Sequence, residues 1–324
     1  MLLTISVVIV AIFGLCAAIT AAGVALIEHA HPPSGFWVPV TGGRMHVVEI
    51  GPPHPVDDTP VVLVHGASGN LEDQRLTLGN MLAGRRRVIL IDRPGHGFSD
   101  RPGGAADASP ARQAALIAEA LTRLGVGRAI MVGHSLGGAV AAAYALDFPE
   151  RVAGLVMLAP VTHPWEGGAS WYNRIAATPV VGGLFARTIV LPLGMVMFRG
   201  AIASVFAPQS PPDHYVARAA SLLVLRPAEF VANAQDIVAL KAFVTAQMPR
   251  YRAITAPTVI ITGDRDTTVW PDIHARAVAA LIPHAKLIVL AGQGHMLPHA
   301  APAAIIAAIN EVAAREEASG LNRR

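Results

Sequence analysis

The chain has 324 residues, 53% hydrophobic and 15% charged, with a mean hydropathy of +0.47, a balance that supports a sizeable core and excludes a disordered tail. The net charge of +3 comes from an arginine excess scattered along the chain, with a short basic run at Arg85–Arg87, too diffuse to point to a nucleic-acid partner. Cys16 is the single cysteine, which excludes an internal disulfide and a cysteine-built zinc site.

Leu2 to Ile27 carries no charged residue. As a helix it would extend about 39 Å, enough to cross a hydrocarbon core of about 30 Å, so residues 1–30 are expected to be an N-terminal membrane anchor. The alternative is a cleaved secretion signal. No Lys or Arg precedes Arg44, so the basic start of such a signal is missing, although the small residues from Ala17 to Gly23 would suit cleavage. Glu28 and Arg44 are the only charged flanks, which leaves the side of the membrane open. His31 to Gly35, with paired prolines, reads as a short stiff linker.

Phe36–Val40 and Arg44–Ile50 flank Thr41-Gly42-Gly43, the pattern of a hairpin. Downstream, short β-branched runs near 61–64, 88–91, 129–132, 155–158, 258–262 and 287–290 alternate with Ala/Leu-rich stretches. Strands apolar on both faces between helices predict a parallel sheet covered on both sides, an α/β architecture. The alternation stops at Pro160 and resumes near Pro257, so a core at 36–160 and 258–317 is expected to be interrupted by a helical cap at 161–257. A last helix is expected over about 303–316, with a loose tail at 320–324.

Gly133-His134-Ser135-Leu136-Gly137 lies between a predicted strand and a predicted helix. A G-x-S-x-G pattern in that context puts a serine on a tight turn, with the helix N-terminus, starting at the Leu136 N–H, aimed at developing negative charge. A serine needs a base and a group to orient that base. Candidates follow the two last strands: Asp264 and Asp266 in Gly263-Asp264-Arg265-Asp266, and His295 in Gly292-Gln293-Gly294-His295. The loop His65-Gly66-Ala67-Ser68-Gly69-Asn70 can supply a second oxyanion donor, assigned to the Ala67 N–H. Asp92-Arg93-Pro94-Gly95-His96-Gly97 follows the next strand.

Together these five segments resemble the α/β-hydrolase superfamily over about residues 36–312. The resemblance implies the α/β-hydrolase fold, a Ser135/Asp266/His295 triad and hydrolysis through an acyl-enzyme, with Asp266 preferred because the family's acid stands three residues past the strand-end glycine. Dehalogenases and epoxide hydrolases would carry Asp at the position of Ser135, and Ser68 replaces the proline of the epoxide-hydrolase loop, so acyl transfer is favoured over alkyl transfer. The expected substrate is a small-molecule or lipid-like carboxylic ester, with C–C, thioester or lactone bonds as alternatives on the same triad, and a non-catalytic ligand-binding protein as the alternative of another class. No cofactor is required and no metal site is expected, since no histidine pair has H-E-x-x-H spacing. Oligomeric state is left open.

Trp165, Trp171, Met195 and Phe198 of the cap, with Met296 beside His295, are the candidate substrate-lining residues, although apolar residues of a helical insertion more often pack. Arg187 and Arg199 bracket an apolar run too short to span a bilayer and suited to an interfacial helix. His65, His96 and His134 are expected to shape their loops, Asp92 and Asp264 to hold turns, and His299 to be a solvent or capping histidine.

Overall fold

The computed structural model describes residues 1–321. Strands β1 (Phe36–Val40) and β2 (Gly43–Ile50) form the expected hairpin. Val40 pairs with Gly43 across the turn, where Gly42 takes φ +84°, a backbone state that favours a residue without Cβ. They open an eight-stranded sheet in the order β1-β2-β4-β3-β5-β6-β7-β8. Its other strands are β3 (Asp57–Val64), β4 (Arg86–Ile91), β5 (Ala129–His134), β6 (Val152–Leu158), β7 (Thr258–Gly263) and β8 (Lys286–Leu290). β2 pairs antiparallel with both β1 and β4, and the remaining neighbours pair parallel.

Side-chain alternation divides the core between two faces. Val62, Val64, Ile89 and Met131 point to the side covered by α4 (Pro110–Arg123) and α5 (Leu136–Asp147). Val61, Leu63, Leu90 and Ile130 point to the side covered by α2 (Leu71–Gln74), α3 (Asn80–Leu82) and α13 (Pro302–Leu321). α13 therefore outlasts the helix expected at 303–316 and includes two residues of the expected tail; residues 322–324 of that tail lie outside the described residues.

Between β6 and β7 the chain forms α6 (Trp171–Ala176), α7 (Val181–Phe185), α8 (Leu191–Phe206), α9 (Tyr215–Arg218) and α10 (Pro227–Gln247). Among the described residues of this stretch there is no strand. A π-helical turn at Ala186–Val190 makes α7 and α8 nearly continuous. α10 is clamped to the core by the wholly buried Asp236, which accepts from Arg93 at 2.7 Å and from Arg101 at 2.9 Å. Beyond β7, α11 (Ala275–Leu281) precedes β8 and α12 (Leu297–Ala300) follows it.

The N-terminal helix α1 (Leu2–Ala30) is exposed over much of its length, including Ile5, Val10, Leu15 and Ile19. Its last turns dock on the insertion: Ile27 is buried with Ala186, Val190, Leu191 and Leu223, and Glu28 pairs with Arg226 at 3.2 Å.

Candidate active site

β5 ends at His134 and α5 begins at Leu136, so Ser135 makes the whole reversal, with φ +55° and ψ −119°. A non-glycine residue held in this region stores about 1–3 kcal/mol of strain, which persists only where the surroundings impose it. They do so here. The Ser135 N–H donates to Leu158 O at 2.9 Å, and its carbonyl accepts from Gly138 N and Val161 N at 2.9 and 3.1 Å. The flanking glycines allow the close approach: a Cβ on Gly133 would stand 2.2 Å from Gly137 O, and one on Gly137 2.3 Å from Val64 O.

The loops after β7 and β8 meet beside this turn. His295 Nδ1 lies 2.8 Å from Asp266 Oδ2, and Asp266 Oδ1 accepts from Thr268 N and Val269 N, both at 2.8 Å. Two backbone donors thus aim the carboxylate at the ring. Asp264 is exposed and accepts from Gly292 N at 2.7 Å, which ties the two loops together, as expected of a turn-holding carboxylate.

His134 bridges the serine turn and the histidine loop. Its ring lies 4.8 Å from that of His295, and its Nε2 donates to His295 O across 3.0 Å. Burial, reinforced by the neighbouring His295, pushes the His134 imidazole down to about 4, so the ring is neutral at pH 7. On the other side, a Cβ on Gly66 would stand 3.1 Å from Ser135 Cβ, which brings the β3 loop against the serine. Ala67 is half-buried and packs on the core, and Leu136 is buried at the start of α5.

Asn233 of α10 was invisible to sequence reasoning. Its Oδ1 accepts from Ser68 N at 2.7 Å and its Nδ2 donates to Ser68 Oγ at 3.0 Å, which braces the β3 loop at a residue with φ +57°. It lies far away in sequence with no motif around it, so no local signal could have found it.

The remaining motif residues divide in two ways. His65 lies 2.9 Å from Gly66 O through Nδ1 and accepts from Arg93 N through Nε2, and His96 lies 3.2 Å from Pro94 O. Burial, then the adjacent Arg93 charge, holds both rings well below the usual histidine range. Both shape their loops, and Asp92 holds its turn by accepting from Leu71 N and Phe98 N. The expectation for His299 is corrected. Its side chain is 3% exposed and its Nε2 lies 2.8 Å from Asp73 Oδ1, because α12 turns it inward against Phe206 and Tyr215.

The candidate lining residues are spread out. Met296 packs with Phe206, Tyr215 and Ala219. Trp165 lies against the core with its ring 5.9 Å from His274, and Phe198 sits on the cluster around Ile27. Trp171 and Met195 are more than half exposed. Among the described residues no group of three or more His, Cys, Asp or Glu side chains converges as a metal site.

Chemically, the arrangement offers a carboxylate-oriented imidazole on a loop that packs against the strained serine turn through His134. The sequence matches a family model described as the alpha/beta hydrolase fold over residues 59–180. A protein of Mycobacterium tuberculosis is 30% identical over 259 residues, 76% of this chain and 72% of that one. The dihydrolipoyllysine-residue acetyltransferase component of the acetoin cleaving system of Cupriavidus necator is 35% identical over 133 residues, 39% of this chain; the match spans 35% of that relative's length. Among solved structures, a bacterial membrane phospholipase A superposes with a TM-score of 0.67 at 22% identity, covering 96% of each chain, and neighbours of the same fold bear the names of lipases, esterases and lactonases. The chain belongs to the α/β-hydrolase family.

Proposed function

We propose that the protein is a membrane-anchored serine hydrolase that cleaves a carboxylic ester with an apolar acyl or alcohol group. The observation that carries this reading is the 2.8 Å Asp266–His295 contact in the loops beside the strained Ser135 turn. Ser135 Oγ attacks the ester carbonyl while His295 takes its proton; the N–H groups of Ala67 and Leu136 hold the oxyanion. His295 returns the proton to the leaving alcohol, leaving an acyl-Ser135. A water, deprotonated by the same imidazole, then attacks the acyl carbon; the bond to Ser135 Oγ breaks as His295 returns the proton to that oxygen, and the acid leaves. Asp266 keeps the ring in the required tautomer and stabilises its cation. α1 provides the anchor.

The test is labelling of the purified protein with a fluorophosphonate, followed by kcat/KM on esters from acetate to dodecanoate. Labelling is expected to vanish in Ser135→Ala, with turnover down by several orders of magnitude; full labelling of that variant overturns the serine mechanism. Each methylene buried in the site contributes up to about 0.8 kcal/mol, so four more carbons are expected to raise kcat/KM by about two orders of magnitude. A fall beyond short chains overturns the apolar preference and leaves the triad in place.

A further inference from the structure

Among the described residues, none covers one apolar face of the insertion. Val180 is 89% exposed and Val196 81%, and Leu184, Leu193 and Met197 are each more than a third exposed. Leu193, Val196 and Met197 follow i, i+3, i+4 spacing and so share one side of α8, while the exposed Val181 and Leu184 do the same on α7 at i, i+3 and Val180 immediately precedes them. Exposed apolar surface of this kind marks a contact site.

Two further observations identify its occupant. The first is where α1 leaves the folded domain. Its last turns run along the helical turn that joins α7 to α8: Ile27 is buried there, and a Cβ on Gly23 would stand 2.9 Å from Leu191 Cδ2. About 20 residues cross a hydrocarbon core, so an α1 that spans a bilayer with the residues before Gly23 brings α8 to the membrane boundary. The second is charge. Residues 167–212 contain no Asp or Glu, whereas Arg174, Arg187 and Arg199 are exposed. Trp171 and Tyr172, packed edge to face with each other and also exposed, are residue types enriched at headgroup level.

Val181–Phe206 is long and apolar enough to cross a bilayer, but it does not leave the fold. Ala186, Val190 and Leu191 are buried in the cluster around Ile27, and Phe206 is held against Tyr215 and Met296. With both parts tied to the domain and Arg187 and Arg199 along its length, it lies parallel to the surface.

We infer that the exposed face of α7 and α8, with the arginines around it, is a docking surface for an anionic phospholipid bilayer, seated beside α1. This rests on the anchor reading above and adds to it a second contact, one that turns the insertion toward the lipid from which an apolar ester would come. Trp171 and Met195, candidates for substrate lining by sequence, are then lipid-facing.

The test uses the full chain reconstituted in phosphatidylcholine vesicles with and without phosphatidylglycerol. In a Cys16→Ser background, single cysteines at Val196→Cys or Glu150→Cys carry an environment-sensitive fluorophore; Glu150 is exposed and precedes β6, whereas the insertion follows it. The probe at 196 is expected to shift to the blue and to lose at least half its emission to doxyl-labelled lipid, more so with phosphatidylglycerol, while the probe at 150 keeps its aqueous spectrum. A chain that floats with the vesicles but has matching spectra at 196 and 150 overturns the docking surface and leaves the anchor. A blue shift that doxyl lipid does not quench assigns the face to a second copy of the chain and also overturns it. A chain that does not float overturns the anchor and the docking surface together.

Discussion

Asp73 and His299 form a buried pair at 2.8 Å, joining α2, which follows the Ser68 loop, to α12, which follows His295. Tyr215 of the insertion donates to the same Asp73 oxygen at 2.7 Å. Three segments distant in sequence are thus fastened at one carboxylate. Burial would raise the Asp73 carboxyl, but the hydrogen bond and charge of His299 outweigh it and hold the group below its usual range. A hydrogen bond to a charged acceptor contributes about 1.5–3 kcal/mol, so Tyr215→Phe is expected to destabilise by about 2 kcal/mol, read from urea unfolding. A loss below about 0.5 kcal/mol would mean that the insertion is held elsewhere.

The acid is assigned by comparing two nearby carboxylates. Asp266→Asn is expected to lower kcat by about three to four orders of magnitude, because an amide at this position favours the wrong imidazole tautomer. Asp264→Asn should cost less than tenfold, since Asp264 touches the Gly292 N–H and not His295. Steady-state kinetics on one soluble ester decides; equal losses transfer the role.

Acid should destabilise the fold. His134 and His274 are both pushed down to about 4, in each case by burial first and then by a neighbouring histidine. A histidine that stays neutral in the fold but protonates below 6.5 in the unfolded chain adds stability above pH 6.5 that is lost as pH falls toward 4. At pH 5 each of these two costs about 2 kcal/mol. His65 and His96 act in the same direction. Glu229 opposes them: burial, outweighing the ion pair with Arg226, raises it to about 7, so it gains stability as pH falls from 7 toward 4.5. His163 is lowered by burial as well, so with five histidines against one glutamate the Tm at pH 5 is expected below that at pH 7. Denaturation followed by circular dichroism checks the sign, and an unchanged or higher Tm would refute it.

A protein held by α1 should remain in the membrane fraction after a carbonate wash. Mature protein starting near Gly23 would instead identify a cleaved signal. Arg226→Ala tests whether α1 is also fastened to the folded domain: it removes the partner of Glu28 and of the buried Glu229. It is expected to speed protease cleavage at residues 29–35 several-fold without releasing the chain from the membrane.

Local chemistry by itself determined much of this protein. The hairpin at Thr41-Gly42, the six strands apolar on both faces and the serine turn at Gly133–Gly137 were legible because each depends on residues within a few positions of one another. The gap between residues 160 and 257 was legible as a loss of that periodicity. Only the tertiary structure decided the partners of residues far apart in sequence. Asn233 braces Ser68, His299 turns inward to Asp73, and α1 seats on the turn between α7 and α8, because the sheet and its insertion bring those residues together. Pairing of this kind leaves no periodic trace. An isolated asparagine or histidine looks the same in sequence whether it faces water or a buried partner, and only burial, which removes the competing water, makes the pairing count.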